Sequence, residues 1–255
     1  MNILCLIKQV PDSLEVHMGS DLTLQRDFVA QVLNKADESA VELALQLRDQ
    51  HGGTVTAMTM GPARAEGTLR ELVARGVDHI ALLTSPKCAG SDTLATARAL
   101  AKTVEYLGPF DLILFGRRAA DGETGQVGPM TAALLDIPCI ANCVSAHLEG
   151  DTLCADQLTE DGNIHWQTKL PAAITMCDWS YALRLPTLMG LRKAKKADIR
   201  MLTPEEIGLD VQEAGLKGSP TRVVKASARP AGVRPTKKIT VQEAVEIIRS
   251  LEVVP

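Results

Sequence analysis

Aromatic residues and long apolar runs are scarce in this 255-residue chain, and each scarcity argues against a class of protein. Aromatics make up 3% of the residues, too few for the stacking surfaces that bind single-stranded nucleic acid. The longest apolar runs, such as residues 111–115, are far shorter than the ~20 residues that span a membrane. No basic and apolar leader precedes Ile3. The sequence therefore predicts a cytoplasmic protein with no nucleic-acid partner and no membrane insertion.

Motifs for metal binding and side-chain catalysis are also missing. The six cysteines show no CxxC spacing, so we interpret them as reduced structural thiols. The five histidines show neither HxxxH nor HExxH spacing, and there is no GxSxG motif. Because these are the common arrangements of zinc sites and serine nucleophiles, we expect no metal site and no catalytic residue. A bound cofactor would then carry any reaction.

Charge is distributed unevenly along the chain. The net charge is −4, but residues 184–238 contain 13 basic and five acidic residues, which leaves −12 for the rest. The same segment contains five prolines and five glycines, a composition that disfavours regular secondary structure. These contrasts predict an acidic body over 1–183, a basic arm over 184–238 and a closing helix within 239–255.

Within the body, short apolar runs alternate with segments of helical periodicity. We predict strands at Asn2–Lys8, Thr54–Met60, His79–Thr84 and Asp111–Phe115, with helices over 34–50, 64–75 and 91–107. This alternation is typical of a doubly wound, mainly parallel α/β sheet of Rossmann-like type. Residues 140–177 read as hairpins that add antiparallel strands to this sheet. An extended C-terminal arm completes the predicted fold.

The segment that follows the fourth predicted strand is rich in glycine. It has four glycines, two arginines, a threonine and a glutamine between 116 and 129, and it leads into a predicted helix. Glycines let the backbone approach an anion, and a helix N-terminus supplies N–H donors. The pattern fits either an anion cradle or a glycine-rich turn, since it matches neither GxGxxG nor a Walker A motif. The candidate ligand residues are Gly116, Arg117, Asp121, Gly122, Glu123, Thr124, Gly125, Gln126, Val127 and Gly128.

Other strand and helix ends lie where a ligand of such a loop could reach them. In open α/β sheets ligands bind beyond the carboxyl ends of the strands, where Leu6 and Met60 are predicted. Asn34 and Asp37 begin the first helix, where they could contact a ribose or adenine or serve as an ordinary N-cap and dipole partner.

A series of motifs resembles the β subunit of electron transfer flavoproteins, in its bacterial branch. The motifs occur in one order over nearly the whole chain, and the 121–129 loop is the most specific of them. The sequence departs from the family at Lys35-Ala36, where members commonly have Pro-Phe. The motifs are Lys8-Gln9-Val10-Pro11-Asp12, Asn34 with 37–42, Met60-Gly61-Pro62, 121–129, Lys169-Leu170-Pro171-Ala172 and Lys193-Ala194-Lys195-Lys196.

The resemblance implies a function in electron transport. The chain would pair with an α subunit that carries the redox FAD. It would itself hold AMP or a second FAD along Leu6, Asn34, Asp37, Met60 and the glycine loop. The pair would pass electrons between an acyl-CoA dehydrogenase-like enzyme and a downstream acceptor, without side-chain catalysis by this subunit.

The resemblance also implies roles for the basic segment. The region 184–190 matches the family's recognition loop, in which Leu188 corresponds to the apolar anchor. Lys193, Lys195 and Lys196 would also contact a partner, and the rest of the arm would wrap around the α subunit.

Two other classes of function fit the same α/β fold. One is a nucleotide-binding regulatory module without redox chemistry. The other is an enzyme that hydrolyses or transfers adenylate, although the absence of a Walker A lysine and of a carboxylate cluster for metal argues against it. The choice between AMP and FAD, the identity of the dehydrogenase and the possibility of electron bifurcation stay open.

Overall fold

The structure is a computed structural model that describes residues 1–12, 17–18, 24–25, 30–224 and 236–250. The chain divides into two units, Met1–Val224 and Lys225–Pro255. The described part of the second unit contains one helix, α7 (Val241–Ser250), which has Val241, Ala244, Val245 and Ile248 at helical spacing on one side. No helix in the described ranges is both long and apolar enough to cross a membrane.

Within the first unit, the described residues form a nine-stranded sheet and two short two-stranded ribbons. The sheet strands are β1 (Asn2–Leu6), β6 (Thr54–Met60), β7 (His79–Leu83), β8 (Leu112–Gly116), β9 (Cys139–Glu149), β10 (Thr152–Thr159), β11 (Gly162–Lys169), β12 (Ala172–Met176) and β13 (Ile199–Leu202). Their order in the sheet is β11-β10-β9-β12-β8-β1-β6-β7-β13. Seven strands, from β9 to β13 in that order, are parallel, whereas β10 and β11 are antiparallel additions at one edge. The ribbons pair β2 (Gln9–Pro11) with β5 (Gln31–Leu33), and β3 (His17–Met18) with β4 (Leu24–Gln25).

Helices cover both faces of this sheet. Alternate residues of β1 show the two layers, because Ile3 and Cys5 belong to one buried cluster and Leu4 and Leu6 to the other. The first cluster packs on α1 (Lys35–His51), α2 (Glu66–Ala74) and α5 (Leu188–Lys196), and the second on α3 (Thr93–Leu107) and α4 (Val127–Leu134). A four-residue helix, α6 (Gly215–Gly218), lies near the end of the unit. The predicted doubly wound α/β class is confirmed.

The four predicted strands of the body all exist, and their ends agree with the structure to within two residues. The block 140–177 differs in one respect. Its first strand, β9, runs parallel to β12 before the chain turns into the hairpins.

The segment 184–224 is more regular than its composition suggests. It contains α5, and it contains β13, which pairs with β7 at the edge of the sheet. These residues belong to the same compact unit as the body. The expectation of little regular structure is therefore wrong for this part of the arm, while residues 225–235 lie outside the described residues.

Candidate functional site

The glycine-rich segment lies at the point where the strand order of the sheet reverses. From β1 the chain proceeds to β6 and β7 on one side, and then returns to β8 and β12 on the other. The reversal therefore lies between β1 and β8, and a crevice at this position is where open α/β sheets bind ligands. Residues 117–126 follow β8 and lead into α4.

An ion pair joins the two strand ends on either side of this point. The Lys8 ammonium, just beyond β1, lies 2.7 Å from a carboxylate oxygen of Asp121 in the loop. The Asp121 side chain is 2% exposed, so its charge is directed inward. This predicted ligand residue therefore holds the loop to the end of β1.

Asn34 and Asp37 are buried and bind the backbone of the same loop. The Asn34 amide donates to the Arg118 carbonyl at 2.9 Å and to an oxygen of Asp37 at 3.0 Å, and its own oxygen accepts from the Ala120 N–H at 3.2 Å. The Asp37 carboxylate accepts from the N–H groups of Lys8 at 2.6 Å and Gly116 at 3.1 Å. These bonds shape the loop, while the expected ribose or adenine contact stays a prediction.

Burial controls the acidity of Asp37. Loss of solvation raises the pKa of this carboxyl to about 7, although the hydrogen bonds from Asn34, Lys8 and Gly116 oppose the shift. Because the charged form is the one that burial disfavours, Asp37 changes protonation near neutral pH.

The glycines of the loop fall into two groups. A Cβ at Gly116 would lie 2.1 Å from an Asp37 oxygen, and one at Gly128 would lie 2.7 Å from a methyl group of Thr175. These two glycines are required for packing. At Gly122 a Cβ would meet nothing within 4 Å, and Gly125 has a positive φ of 65° with its nearest neighbour at 3.5 Å. The middle of the loop is therefore open, as an anion cradle requires.

Arg117 is the first residue of this loop, and its charged side chain packs against residues that follow β12. Its guanidinium lies 4.9 Å from the ring centre of Trp179, and one nitrogen is 3.5 Å from an Asp178 oxygen. Its Nε is buried and has no hydrogen-bond partner among the described residues. A buried donor of this kind costs free energy unless it is paired, so the site fits an added acceptor such as a phosphate oxygen. Sequence reasoning missed Asp178 and Trp179, because the contact depends on the adjacency of β8 and β12.

The remaining predicted ligand residues have different positions. Leu6 is buried in the sheet, whereas Met60 is half-buried at the end of β6. Glu123, Thr124 and Gln126 are exposed, and Val127 is half-buried. The structure brings the strand ends and the loop to the same edge of the sheet. Direct ligand contacts by these side chains stay predictions.

The predicted partner residues lie on a second surface, at α5. Leu188 is 82% exposed and is the first residue of this helix. The cap of the helix is Thr187, whose hydroxyl accepts from the Gly190 N–H at 2.9 Å. The nearby Leu185 and Met189 are also strongly exposed, and we call Leu185, Leu188 and Met189 the apolar tip. Lys193, Lys195 and Lys196 follow on the same helix, and Lys193 and Lys196 line a cleft of about 620 Å³.

Comparison with known proteins agrees with this architecture. Residues 21–206 match the model of the electron transfer flavoprotein domain. An electron transfer flavoprotein subunit beta from Thermoanaerobacterium thermosaccharolyticum is 42% identical over 89% of this chain and 88% of its own length. Protein FixA from Azorhizobium caulinodans is 40% identical over 90% of this chain and 86% of its own length. The acryloyl-CoA reductase electron transfer subunit gamma from Anaerotignum propionicum is 37% identical over 96% of each chain.

The fold and the site define a doubly wound α/β protein with an open glycine-rich loop at its switch point. The match to the family model covers most of the chain, and several relatives share about 40% identity over nearly their full length. The chain belongs to the electron transfer flavoprotein β-subunit and FixA family, whose members function in electron transfer.

Proposed function

We propose that this chain is the β subunit of a heterodimeric electron transfer flavoprotein, which binds an adenine nucleotide in the 116–128 loop and performs no side-chain catalysis. The observation that carries the proposal is the open loop at the switch point. Asn34 and Asp37 hold this loop by hydrogen bonds, and Lys8 holds it by an ion pair with Asp121. Its exposed backbone and the start of α4 offer N–H donors to phosphate. Family membership supplies the electron-transfer role.

Different residues around the opening would bind different parts of the nucleotide. Arg117 and the backbone around Gly122 and Gly125 would hold the phosphates, and Thr124 and Gln126 would add uncharged hydrogen bonds. Leu6 and Met60 would line the approach along the strand ends. The nucleotide is AMP or a second FAD, and FAD supplies the redox chemistry of the assembled protein.

Two kinds of partner follow from the proposal. The α subunit carries the redox FAD and pairs with this chain through the basic segment and the C-terminal helix. An acyl-CoA dehydrogenase-like enzyme exchanges electrons with the pair and contacts the apolar tip and the α5 lysines. A relative named as an electron transfer subunit of acryloyl-CoA reductase supports this class of partner.

The first test is the co-expression of this chain with an electron transfer flavoprotein α subunit. We expect a yellow heterodimer from which acid extraction releases an adenine nucleotide in addition to the α-subunit FAD. Chromatography of the extract identifies that nucleotide as AMP or FAD. A colourless homo-oligomer would instead support the non-redox regulatory module.

A second test places bulk in the opening of the loop. Gly122→Val adds its side chain where nothing lies within 4 Å, so the fold should be retained while the ligand space is filled. Overpacking costs about 1–3 kcal/mol, which corresponds to roughly a 5- to 150-fold loss of nucleotide affinity. The control is Gly67→Val in α2, where a Cβ is equally unobstructed. Nucleotide content equal to wild type in Gly122→Val would contradict the assignment of the loop.

A further inference from the structure

The antiparallel strands at the far edge of the sheet bring three metal-ligating side chains together. Cys154 of β10 is paired directly with His147 of β9, and Glu149 lies two residues beyond His147 on the same strand. Residues paired across antiparallel strands project from the same face, as do residues two apart on one strand. One donor atom from each of the three side chains lies within 4.8 Å of the other two, and His147 Nε2 is 3.5 Å from Glu149 Oε1.

This cluster lies on the face of the strands that points away from the core. The intervening residues Leu148, Leu153 and Ala155 belong to the buried core cluster of the sheet. On the opposite face, Cys154 is buried, whereas His147 and Glu149 are well exposed. The three side chains line a small cavity of about 170 Å³, with the thiol at its floor. An ion could therefore enter from solvent and reach the sulfur.

A second histidine lines the same cavity. His165 of β11 is paired with Asp156 of β10, and its Nδ1 contacts a carboxylate oxygen of that residue. Asp156 also accepts a hydrogen bond from the Ser145 hydroxyl. A carboxylate on one ring nitrogen orients a histidine whose other nitrogen binds metal. His165 is thus held in orientation beside the cluster, and water is the candidate fourth ligand of the ion.

We propose that this face of β9, β10 and β11 binds one divalent ion of the zinc class through His147, Glu149 and Cys154. Sulfur, imidazole nitrogen and carboxylate oxygen are zinc donors, whereas magnesium and calcium prefer oxygen alone. Donor atoms in a tetrahedral zinc site lie about 3.5 Å apart, so a small rotation of side chains closes the present cluster around the ion. The thiolate and the carboxylate together balance the charge of the ion.

The proposal is tested with the tag-free full-length chain, stripped of metal by a chelator. Equilibrium dialysis against Zn²⁺ should give one tightly bound zinc per chain, and Co²⁺ should give the absorption band of a cobalt–thiolate bond in flavin-free protein. Cys154→Ser and His147→Gln should each weaken zinc binding by at least about tenfold.

Matched variants separate this site from general binding by thiols and imidazoles. Cys88→Ser changes another buried cysteine, and His51→Gln changes a histidine at the end of α1. Both should bind zinc as wild type does. Zinc should also raise the melting temperature of wild type and of these controls, but not of the two site variants.

Equal zinc binding by wild type and both site variants would overturn the proposal, as would less than half an equivalent in wild type. Glu149→Gln changes an exposed residue and keeps the side-chain shape, so it tests the site even if the other variants fold poorly. It should weaken zinc binding while its melting temperature without zinc stays that of wild type. The adenine-nucleotide content is measured on the same samples, so this result is independent of the proposed function.

Discussion

Asp37 holds the backbone of the glycine loop and is also a titrating group. The carboxylate accepts N–H groups from the ends of two strands, β1 and β8, and an amide proton from Asn34. An asparagine in its place would supply one acceptor oxygen and would turn an NH₂ group toward these donors. Asp37 is therefore a positioning residue for the loop, and its substitution should act through the loop shape.

The raised pKa of Asp37 makes stability depend on pH. Its pKa is about 7 in the folded chain and about 3.9 in an unfolded chain, so the folded state binds the extra proton between these values. The contribution of Asp37 to the free energy of unfolding should therefore fall as pH rises from about 4 to about 7. Urea denaturation of wild type and Asp37→Asn across this range should show that wild type loses more stability than the variant does.

The matched control is Asp161→Asn, in the exposed turn between β10 and β11. Its pH profile should follow that of wild type, since Asp37 is retained. Parallel profiles for wild type and Asp37→Asn would show that the Asp37 pKa is not raised.

Helix α5, which carries the apolar tip, is held firmly against α2. Gly190 approaches α2 so closely that a Cβ there would lie 2.1 Å from the Ala74 carbonyl oxygen. Arg70 of α2 donates to the carbonyls of Ala194 and Ala197 at the end of α5. The helix is therefore fixed at both ends, although Leu185 and Leu188 point into solvent.

Substitution of the tip should affect partner binding without affecting folding. Burial of one leucine in a partner's pocket is worth about 1.5–3 kcal/mol, or roughly a ten- to hundredfold change in affinity. Leu188→Ala should slow reduction of the flavin by the dehydrogenase at limiting concentration. Its melting temperature should stay the same or rise slightly, because alanine favours helices.

Leu185→Ala is the companion variant, because Leu185 is 81% exposed against 82% for Leu188. If Leu185→Ala slows flavin reduction more than Leu188→Ala does, Leu185 is the apolar anchor. Leu134→Ala changes an exposed leucine of α4, outside the proposed partner surfaces, and is the control. Wild-type kinetics in both tip variants would exclude the tip as the contact with the dehydrogenase.

The whole molecule divides into two units between Val224 and Lys225, and this boundary is a defined position for truncation. Ser219 accepts from the Asp92 N–H at 2.8 Å, and Thr221 donates its hydroxyl to the Asp92 carboxylate at 2.7 Å. Asp92 is also the N-cap of α3. Residues 215–224 therefore support the body, whereas residues 225–255 form the separate unit.

Two truncations should separate these contributions. Removal of 225–255 should leave a soluble body with the wild-type melting temperature that no longer retains the α subunit on an affinity column. Removal of 215–255 should also lower stability by about 1–3 kcal/mol, since three hydrogen bonds to the helix-capping residue Asp92 are lost. Retention of a flavin-loaded α subunit by either truncated chain would refute the role of the C-terminal unit in assembly.

Local sequence patterns predicted the strands and helices whose formation depends mainly on residues close together in the chain. Strand β6 was predicted with both ends correct, since an apolar run between glycines has few alternative structures. Strand β13 was missed because its four residues lie in a basic, proline-rich context and are ordered by pairing with β7. The bonds from Asn34 to the loop join residues 84 and 86 positions apart. The pairing of His147 with Cys154 likewise follows strand register, which motif spacing does not contain.

The hydrogen bonds that shape the glycine loop have a consequence for how a cofactor is exchanged. Asn34, Asp37 and Lys8 hold the loop through hydrogen bonds and an ion pair within the protein. The backbone conformation of the loop therefore does not depend on a bound nucleotide. The empty and loaded forms then differ little in backbone order, and loading carries a small entropic penalty. A chain stripped of its nucleotide should therefore take up synthetic analogues at rates set by diffusion and access, without first having to refold.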